Sequence, residues 1–153
     1  MGSNTKTITI LIADDDPDDR LLIKDSLEEA RLANPLHFVE DGVELIDYLQ
    51  RKDQYEYLKE EPLPGLILLD LNMPRKSGIE ALQEIKADHK LRQIPIVIFT
   101  TSKAEEDIIR TYNLGVNSFI SKPVSFQAFT EVVQTLTKYW FEIVELPHGI
   151  INN

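Results

Sequence analysis

The sequence predicts an α/β fold in which helices cover both faces of one parallel sheet. Short apolar runs rich in β-branched residues occur five times, helical patterns separate them, and no repeat or linker interrupts the alternation. A short, bounded apolar run is typical of a strand buried on both faces. Strands that alternate with helices build parallel sheets, and 153 residues correspond to one domain.

The five strands are predicted at residues 8–13, 36–39, 66–69, 96–99 and 118–121. The first helix has apolar residues at helical spacing between Leu22 and Ala30. It ends before Pro35, because the residue before a proline disfavours helical backbone angles. The second helix is predicted at residues 43–49. Residues 51–65 are polar and aromatic, then proline-rich, which predicts a helix extension followed by an exposed loop.

Two helix starts match the S-x-x-E capping box, in which the serine and glutamate side chains bind free backbone amides at a helix N-terminus. Ser77 with Glu80 is predicted to open the third helix, and Ser102 with Glu105 the fourth. Gly115 is expected to follow the fourth helix, because glycine is common just after a helix ends.

The last helix has apolar residues at heptad-like spacing: Phe126, Phe129, Val133, Leu136, Trp140 and Ile143. The first three are expected to pack on the sheet. Trp140, Phe141 and Ile143 lie beyond what one sheet layer needs, and they indicate either a homodimer seam or an intramolecular contact. We therefore divide the chain into a domain at residues 7–138 and a C-terminal extension at residues 139–153.

Composition excludes several classes of partner and site. The formal net charge of -10 argues against nucleic acid as a direct partner, because the phosphate backbone would be repelled. The chain has no cysteine, which excludes disulfides and thiolate metal sites and suits a reducing cytoplasm. No apolar stretch approaches the length of a membrane span.

Polar side chains stand where four of the predicted strands end. Asp14 and Asp15 follow the first strand and Asp70 the third, while Thr100 follows the fourth and Lys122 the fifth. Ligands of open parallel sheets bind just beyond the carboxyl ends of the strands. Acidic, hydroxyl and ammonium groups at that edge predict a metal and phosphoryl site.

The chemistry of these residues suggests separate tasks. A carboxylate can accept a phosphoryl group covalently, and Asp70 is the single acid at the end of the central strand. Asp14 and Asp15 would repel Asp70 unless a cation neutralised them. Mg²⁺ binds hard oxygen ligands and often takes one or two carboxylates with a phosphate. Lys122 and Thr100 could then bind the phosphoryl oxygens.

Four segments resemble the receiver domain of two-component response regulators. Over roughly residues 7–138, the acidic strand matches ILIADDDPDD, the phosphoacceptor loop DLNMPRKSG, the hydroxyl strand FTTS and the lysine strand ISKP. The resemblance implies the flavodoxin-like (CheY-like) strand order 2-1-3-4-5. It also implies a signalling protein rather than an enzyme, which accepts a phosphoryl group from a histidine kinase.

The resemblance further implies a role for each matching residue. Asp70 would be the phosphoacceptor, with Lys122 binding the phosphoryl group and Thr100 sensing it. Asp14, Asp15 and Asp70 would bind Mg²⁺ together with the backbone carbonyl of Asn72. Phe119, three residues before the lysine, would be the aromatic switch residue, and phosphorylation would alter the face formed by the fourth helix, fifth strand and fifth helix.

Three features resemble the small single-domain regulators of phytochrome-type histidine kinases. The segment at 51–65 is longer than the common receiver pattern, no output domain is expected, and the last helix continues into KYWFEIVELP. These features make a phytochrome-type kinase the expected partner.

Three alternatives remain open at this level. A Mg²⁺-dependent phosphohydrolase of the haloacid-dehalogenase type would use the D-x-D at Asp14–Asp16, but it needs an acidic motif after Lys122, and no aspartate follows that residue. A calcium loop at 14–25 lacks its glycine and its final glutamate. A degenerate receiver that only binds partners is disfavoured because every site residue is present.

Overall fold

The computed structural model describes residues 8–30 and 34–139, which form a five-stranded parallel sheet with helices on both faces. The strands are β1 (Ile10–Ala13), β2 (Leu36–Val39), β3 (Leu66–Leu69), β4 (Ile96–Thr100) and β5 (Ser118–Ser121). The helices are α1 (Pro17–Glu29), α2 (Gly42–Gln50), α3 (Gly78–Ala87), α4 (Glu105–Asn113) and α5 (Phe126–Lys138). All pairings are parallel in the order β2-β1-β3-β4-β5, which confirms the predicted fold class and strand order.

Alternate residues of each central strand belong to two different hydrophobic cores. Leu11 and Leu69 point to the face covered by α2 and α3, whereas Ile12 and Leu68 point to the face covered by α1 and α5. This alternation follows from the two-residue period of a strand, and it explains why β1, β3 and β4 are apolar at nearly every position. Two packed layers thus fix the carboxyl ends of these strands.

The strand predictions agree closely with the structure. β1 begins at Ile10, two residues later than predicted, and β4 includes Thr100 as its last residue. None of the helices in the described part of the chain combines the length and the apolar composition that a membrane span needs.

Only one of the two predicted capping boxes is present. The Ser77 hydroxyl accepts the Glu80 amide at 3.2 Å, and the Glu80 carboxylate accepts the Ser77 amide at 2.9 Å, which confirms the start of α3. The box at Ser102 is wrong, because the N-cap of α4 is Ala104, and the Ser102 hydroxyl donates to Asp107 Oδ2 at 2.7 Å. Gly115 follows α4 with a φ of 95°, as predicted.

The helix extension predicted within residues 51–65 is wrong. Arg51 ends α2 in a left-handed conformation with a φ of 57°, which a right-handed helix cannot continue. Its buried guanidinium lies over the Tyr48 ring and donates to the Pro62 carbonyl at 2.7 Å. A 3-10 helix follows at Asp53–Leu58. The first part of the segment is therefore anchored to the core, whereas residues 59–62 are exposed, as predicted for the loop.

Among the described residues, the last helix has the predicted apolar face except at Phe126. Phe129 and Val133 are buried against the sheet, but Phe126 is 63% exposed, so its predicted packing on the sheet is wrong. Phe126 is the first residue of α5 and lines a depression beside Lys122, past the end of the sheet. Trp140 and the rest of the proposed dimer seam lie outside the described residues, so the homodimer and the boundaries of the extension stay predictions.

We expect Phe129→Ala to destabilise the fold far more than Phe126→Ala. Phe129 is 4% exposed and its ring packs edge-to-face on Phe99, with centroids 5.1 Å apart. Removing such a buried ring costs about 3–5 kcal/mol. Removing the exposed Phe126 ring should cost less than about 0.5 kcal/mol. Urea unfolding followed by circular dichroism measures both, and similar losses for the two variants would contradict this packing.

Candidate functional site

Four strand ends place the predicted polar residues at one edge of the sheet. Asp14 follows β1, Asp70 follows β3, Thr100 ends β4 and Lys122 follows β5. These four residues are buried, whereas Asp15 is exposed at the mouth of the site. A single parallel sheet therefore brings together residues that are up to 108 positions apart in the chain.

The Lys122 ammonium group lies among three carboxylates. Its Nζ atom is 2.7 Å from Asp14 Oδ2, 2.7 Å from Asp19 Oδ2 and 3.2 Å from Asp70 Oδ2. The side chains of Lys122, Asp14 and Asp70 are each 5% exposed or less. Uncompensated charges are very costly to bury, so this cluster requires its opposite charges to stay in contact.

Burial and pairing change the acid–base properties of this cluster. Burial is the largest influence on Asp14 and raises its pKa to about 6, although Lys122 and the Asp16 amide favour its charged form. Burial alone would lower the pKa of Lys122, but the hydrogen bonds to Asp14 and Asp19 and the negative charges of Asp14 and Asp70 outweigh it and raise that pKa. Lys122 is therefore a fixed cation at neutral pH.

The Thr100 hydroxyl binds the other oxygen of Asp70. It donates to Asp70 Oδ1 at 2.7 Å, because a carboxylate can only accept. The same hydroxyl oxygen lies 3.4 Å from the backbone amides of Leu71 and Ser102. Thr100 thus connects the Asp70 carboxylate to the loops that follow β3 and β4.

The loop after Asp70 is packed tightly against α3. A methyl group at Gly78 would lie 2.3 Å from the Asp70 carbonyl oxygen, so a side chain there would displace the backbone of the site. The Asn72 amide donates to Asp70 Oδ1 at 3.2 Å, and its side chain donates to Thr101 Oγ1 at 3.3 Å. Gly78, the last residue of the DLNMPRKSG segment, is thus required by close backbone contact.

The predicted switch residue Phe119 lies outside this polar cluster. Its ring is half-buried against the core between the sheet and helices α2 and α3. Its backbone amide donates to the Tyr112 hydroxyl of α4 at 3.2 Å. Tyr112 therefore connects α4 to β5 next to Phe119, a contact that sequence reasoning missed.

A group of three carboxylates could bind a metal ion. Asp14, Asp15 and Asp70 each offer one oxygen, and these oxygens lie within 4.8 Å of one another. Hard oxygen ligands of this kind suit Mg²⁺ or a similar divalent cation. The donor set therefore fits the ion that the sequence predicts.

Asp19 is the site residue whose contact the sequence analysis missed. The sequence shows Asp19 at the end of the acidic run at residues 14–19. Nothing in the local pattern predicts that its carboxylate contacts Lys122. Asp19 is the third residue of α1, and the orientation of this helix against the sheet directs its carboxylate to the ammonium group.

Comparisons with known proteins agree with this geometry. A family model described as the response regulator receiver domain matches residues 10–134. The response regulator Rcp1 of Synechocystis sp. is 37% identical over 145 residues, which are 95% of this chain and 96% of that protein. The Mn²⁺-bound crystal form of Rcp1 has a TM-score of 0.86, covering 92% of this chain and 99% of the other.

Two further solved structures are similar. The phosphorylated cyanobacterial phytochrome response regulator RcpA is 34% identical with a TM-score of 0.87, covering 93% of this chain and 99% of that one. The bacteriophytochrome response regulator AtBRR is 38% identical with a TM-score of 0.72, and the match covers 92% of this chain and 100% of that one. The haloacid-dehalogenase alternative gains no support from these matches. By sequence and by fold, the chain belongs to the response regulator receiver domain family.

Proposed function

We propose that this chain is a single-domain response regulator in which Asp70 accepts a phosphoryl group from a histidine kinase. The observation that carries the proposal is the position of Asp70, whose two oxygens contact a hydroxyl on one side and an ammonium group on the other. Phosphoryl transfer needs mainly such positioning and the neutralisation of charge on the transferred oxygens. The protein acts as a signalling switch rather than as a turnover enzyme.

The proposed transfer step is a single displacement at phosphorus. An Asp70 carboxylate oxygen forms a bond to phosphorus while the phosphorus–nitrogen bond of the kinase phosphohistidine breaks, and the electron pair returns to the imidazole nitrogen. Lys122 and Thr100 then bind the equatorial oxygens. A divalent metal, for which we propose Mg²⁺, would be held by Asp14, Asp15, Asp70 and the Asn72 carbonyl, and it would neutralise charge on the phosphoryl group.

The proposed switch is a rearrangement of the loops that Thr100 contacts. A hydroxyl that leaves Asp70 for a phosphoryl oxygen would also leave the Leu71 and Ser102 amides. Helix α4 follows this loop and has only Thr111 buried, so it can move at low cost. Phe119 and Tyr112 lie on the face of α4, β5 and α5 that would change.

The expected partner is a phytochrome-type histidine kinase in the cytoplasm. Support comes from the regulators named above, of which one is called a phytochrome and another a bacteriophytochrome response regulator. A homodimer formed through Trp140, Phe141 and Ile143 stays part of the proposal.

Asp70→Asn is expected to abolish phosphorylation, because an amide oxygen cannot form the acyl phosphate. The chain is incubated with Mg²⁺ and acetyl phosphate, and phosphate-affinity electrophoresis detects a shifted band. Asp25→Asn, which removes an exposed acid of α1, is the matched control and should shift like the wild type. In a second experiment, a phytochrome-type kinase that carries labelled phosphate is the donor, and transfer of the label to the chain is measured. A shifted band that persists in Asp70→Asn would contradict the proposal.

Thr100→Val should uncouple phosphorylation from the conformational change. The isosteric side chain keeps the volume but loses the hydroxyl that contacts Asp70. We expect phosphorylation to slow by about ten- to a hundredfold, which is the scale of one lost charge-assisted hydrogen bond. The amide chemical-shift changes of α4 and β5 should largely disappear. Thr135→Val, at an exposed position of α5, is the control, and equal shift changes in both variants would exclude the sensing role.

Metal affinity should fall as the pH is lowered through about 6. The pKa of Asp14 is raised to about 6 by burial, so below that pH a proton occupies the carboxylate that must be ionised to bind the metal. We expect the apparent dissociation constant for Mg²⁺ to rise up to about tenfold per pH unit below 6, and to change little above 7. Calorimetric titration from pH 5 to 8 measures this. The Asp14→Asn variant should bind Mg²⁺ weakly, and its affinity should depend less on pH.

A further inference from the structure

Asp19 is an acidic residue of α1 that contacts Lys122 as closely as any other carboxylate does. Its Oδ2 atom lies 2.7 Å from Lys122 Nζ, compared with 2.7 Å for Asp14 and 3.2 Å for Asp70. The Asp19 side chain is 19% exposed, so this ion pair lies at the edge of the buried cluster. The N-cap residue Asp16 accepts the Asp19 amide at 3.3 Å, which fixes the first turn of α1.

Metal binding must change what Lys122 contacts. Asp14 and Asp70 contact the ammonium group, and they also belong to the carboxylate group that could bind a metal. A divalent cation and an ammonium group repel each other strongly at such short distances in a buried site. Among the described residues, the carboxylate group that could bind a metal does not include Asp19. The contact of Asp19 with Lys122 can therefore persist when the metal is bound.

We propose that Asp19 is a positioning residue, which retains the Lys122 ammonium group at the site when a divalent metal takes the carboxylates of Asp14 and Asp70. This inference rests on the proposed function, because it assigns Asp19 a part in the same reaction. A lysine has a flexible four-carbon side chain, and without Asp19 it would stay on the carboxylates of Asp14 and Asp70 and compete with the metal. With Asp19 present, the ammonium group stays where phosphoryl oxygens arrive.

Asp18 provides a matched control for charge. It is the preceding residue in the same turn of α1, it has the same charge, and it is exposed. Among the described residues, the ion pairs of Lys122 go to Asp14, Asp19 and Asp70 and not to Asp18. A general effect of negative charge on the metal should therefore appear in Asp18→Asn as well.

The first experiment measures Mn²⁺ binding to the full chain from the paramagnetic resonance signal of the free ion. Asp19→Asn is expected to weaken binding about tenfold, which is a typical coupling between contacting charges. Asp18→Asn should weaken it less than about twofold. In the Lys122→Met background, Asp19→Asn should have no more effect than Asp18→Asn. An equal loss in both backgrounds would mean that Asp19 acts on the ion directly and would overturn the proposal.

The second experiment measures phosphorylation by acetyl phosphate at saturating Mg²⁺, where metal affinity no longer limits the rate. Asp19→Asn should be about tenfold slower than Asp18→Asn, and Asp19→Glu should recover part of the rate because it keeps a carboxylate. Equal rates for Asp19→Asn and Asp18→Asn would overturn the positioning role. If Asp70→Asn is still phosphorylated, the proposed function fails. If Asp70→Asn is inert but Asp19→Asn matches Asp18→Asn, only this inference fails.

Discussion

The Lys122 ammonium group, surrounded by three carboxylates, is the interaction on which the candidate site depends. Two of these carboxylates are almost fully buried, and without a nearby cation they would be protonated or would destabilise the fold. The ammonium group comes from β5, whereas its partners come from β1, α1 and β3, so the contact also fixes the sheet edge around Asp70. The arrangement keeps several carboxylates close together, where a divalent cation could replace the ammonium group as their partner.

The same arrangement explains how the site could change state. Under the proposed function, the metal and the Lys122 ammonium group would bind the same carboxylates, so metal binding would change the contacts of the ammonium group. The Thr100 hydroxyl contacts the remaining Asp70 oxygen and also lies near two loop amides, so a change at Asp70 reaches the loop that precedes α4. Helix α4 is lightly buried and bonds to the edge strand through Tyr112. A rigid sheet edge next to a weakly packed helix is the arrangement expected of a conformational switch.

The fold could be predicted closely because its signals are local. Apolar runs placed four of the five strands to within a residue, and the Ser77 capping box marked the start of α3. Predictions failed where a local pattern had a competing contact. Ser102 binds Asp107 rather than a helix amide, and Arg51 adopts a left-handed backbone stabilised by the Pro62 carbonyl and the Tyr48 ring. Phe126 follows the spacing of the apolar residues of α5, but it lies past the end of the sheet on which the other apolar residues pack.

Residue types at short spacing were enough to predict the fold class, the family resemblance and the polar residues at the strand ends. Which of these residues touch depends on how the helices and the sheet pack together. Asp19 and Lys122 are separated by 103 positions, so no local pattern could indicate their contact. The raised pKa of Asp14 likewise depends on burial between β1 and its neighbours, which only the packed sheet creates. Long-range placement therefore converts a run of acids into residues with distinct environments.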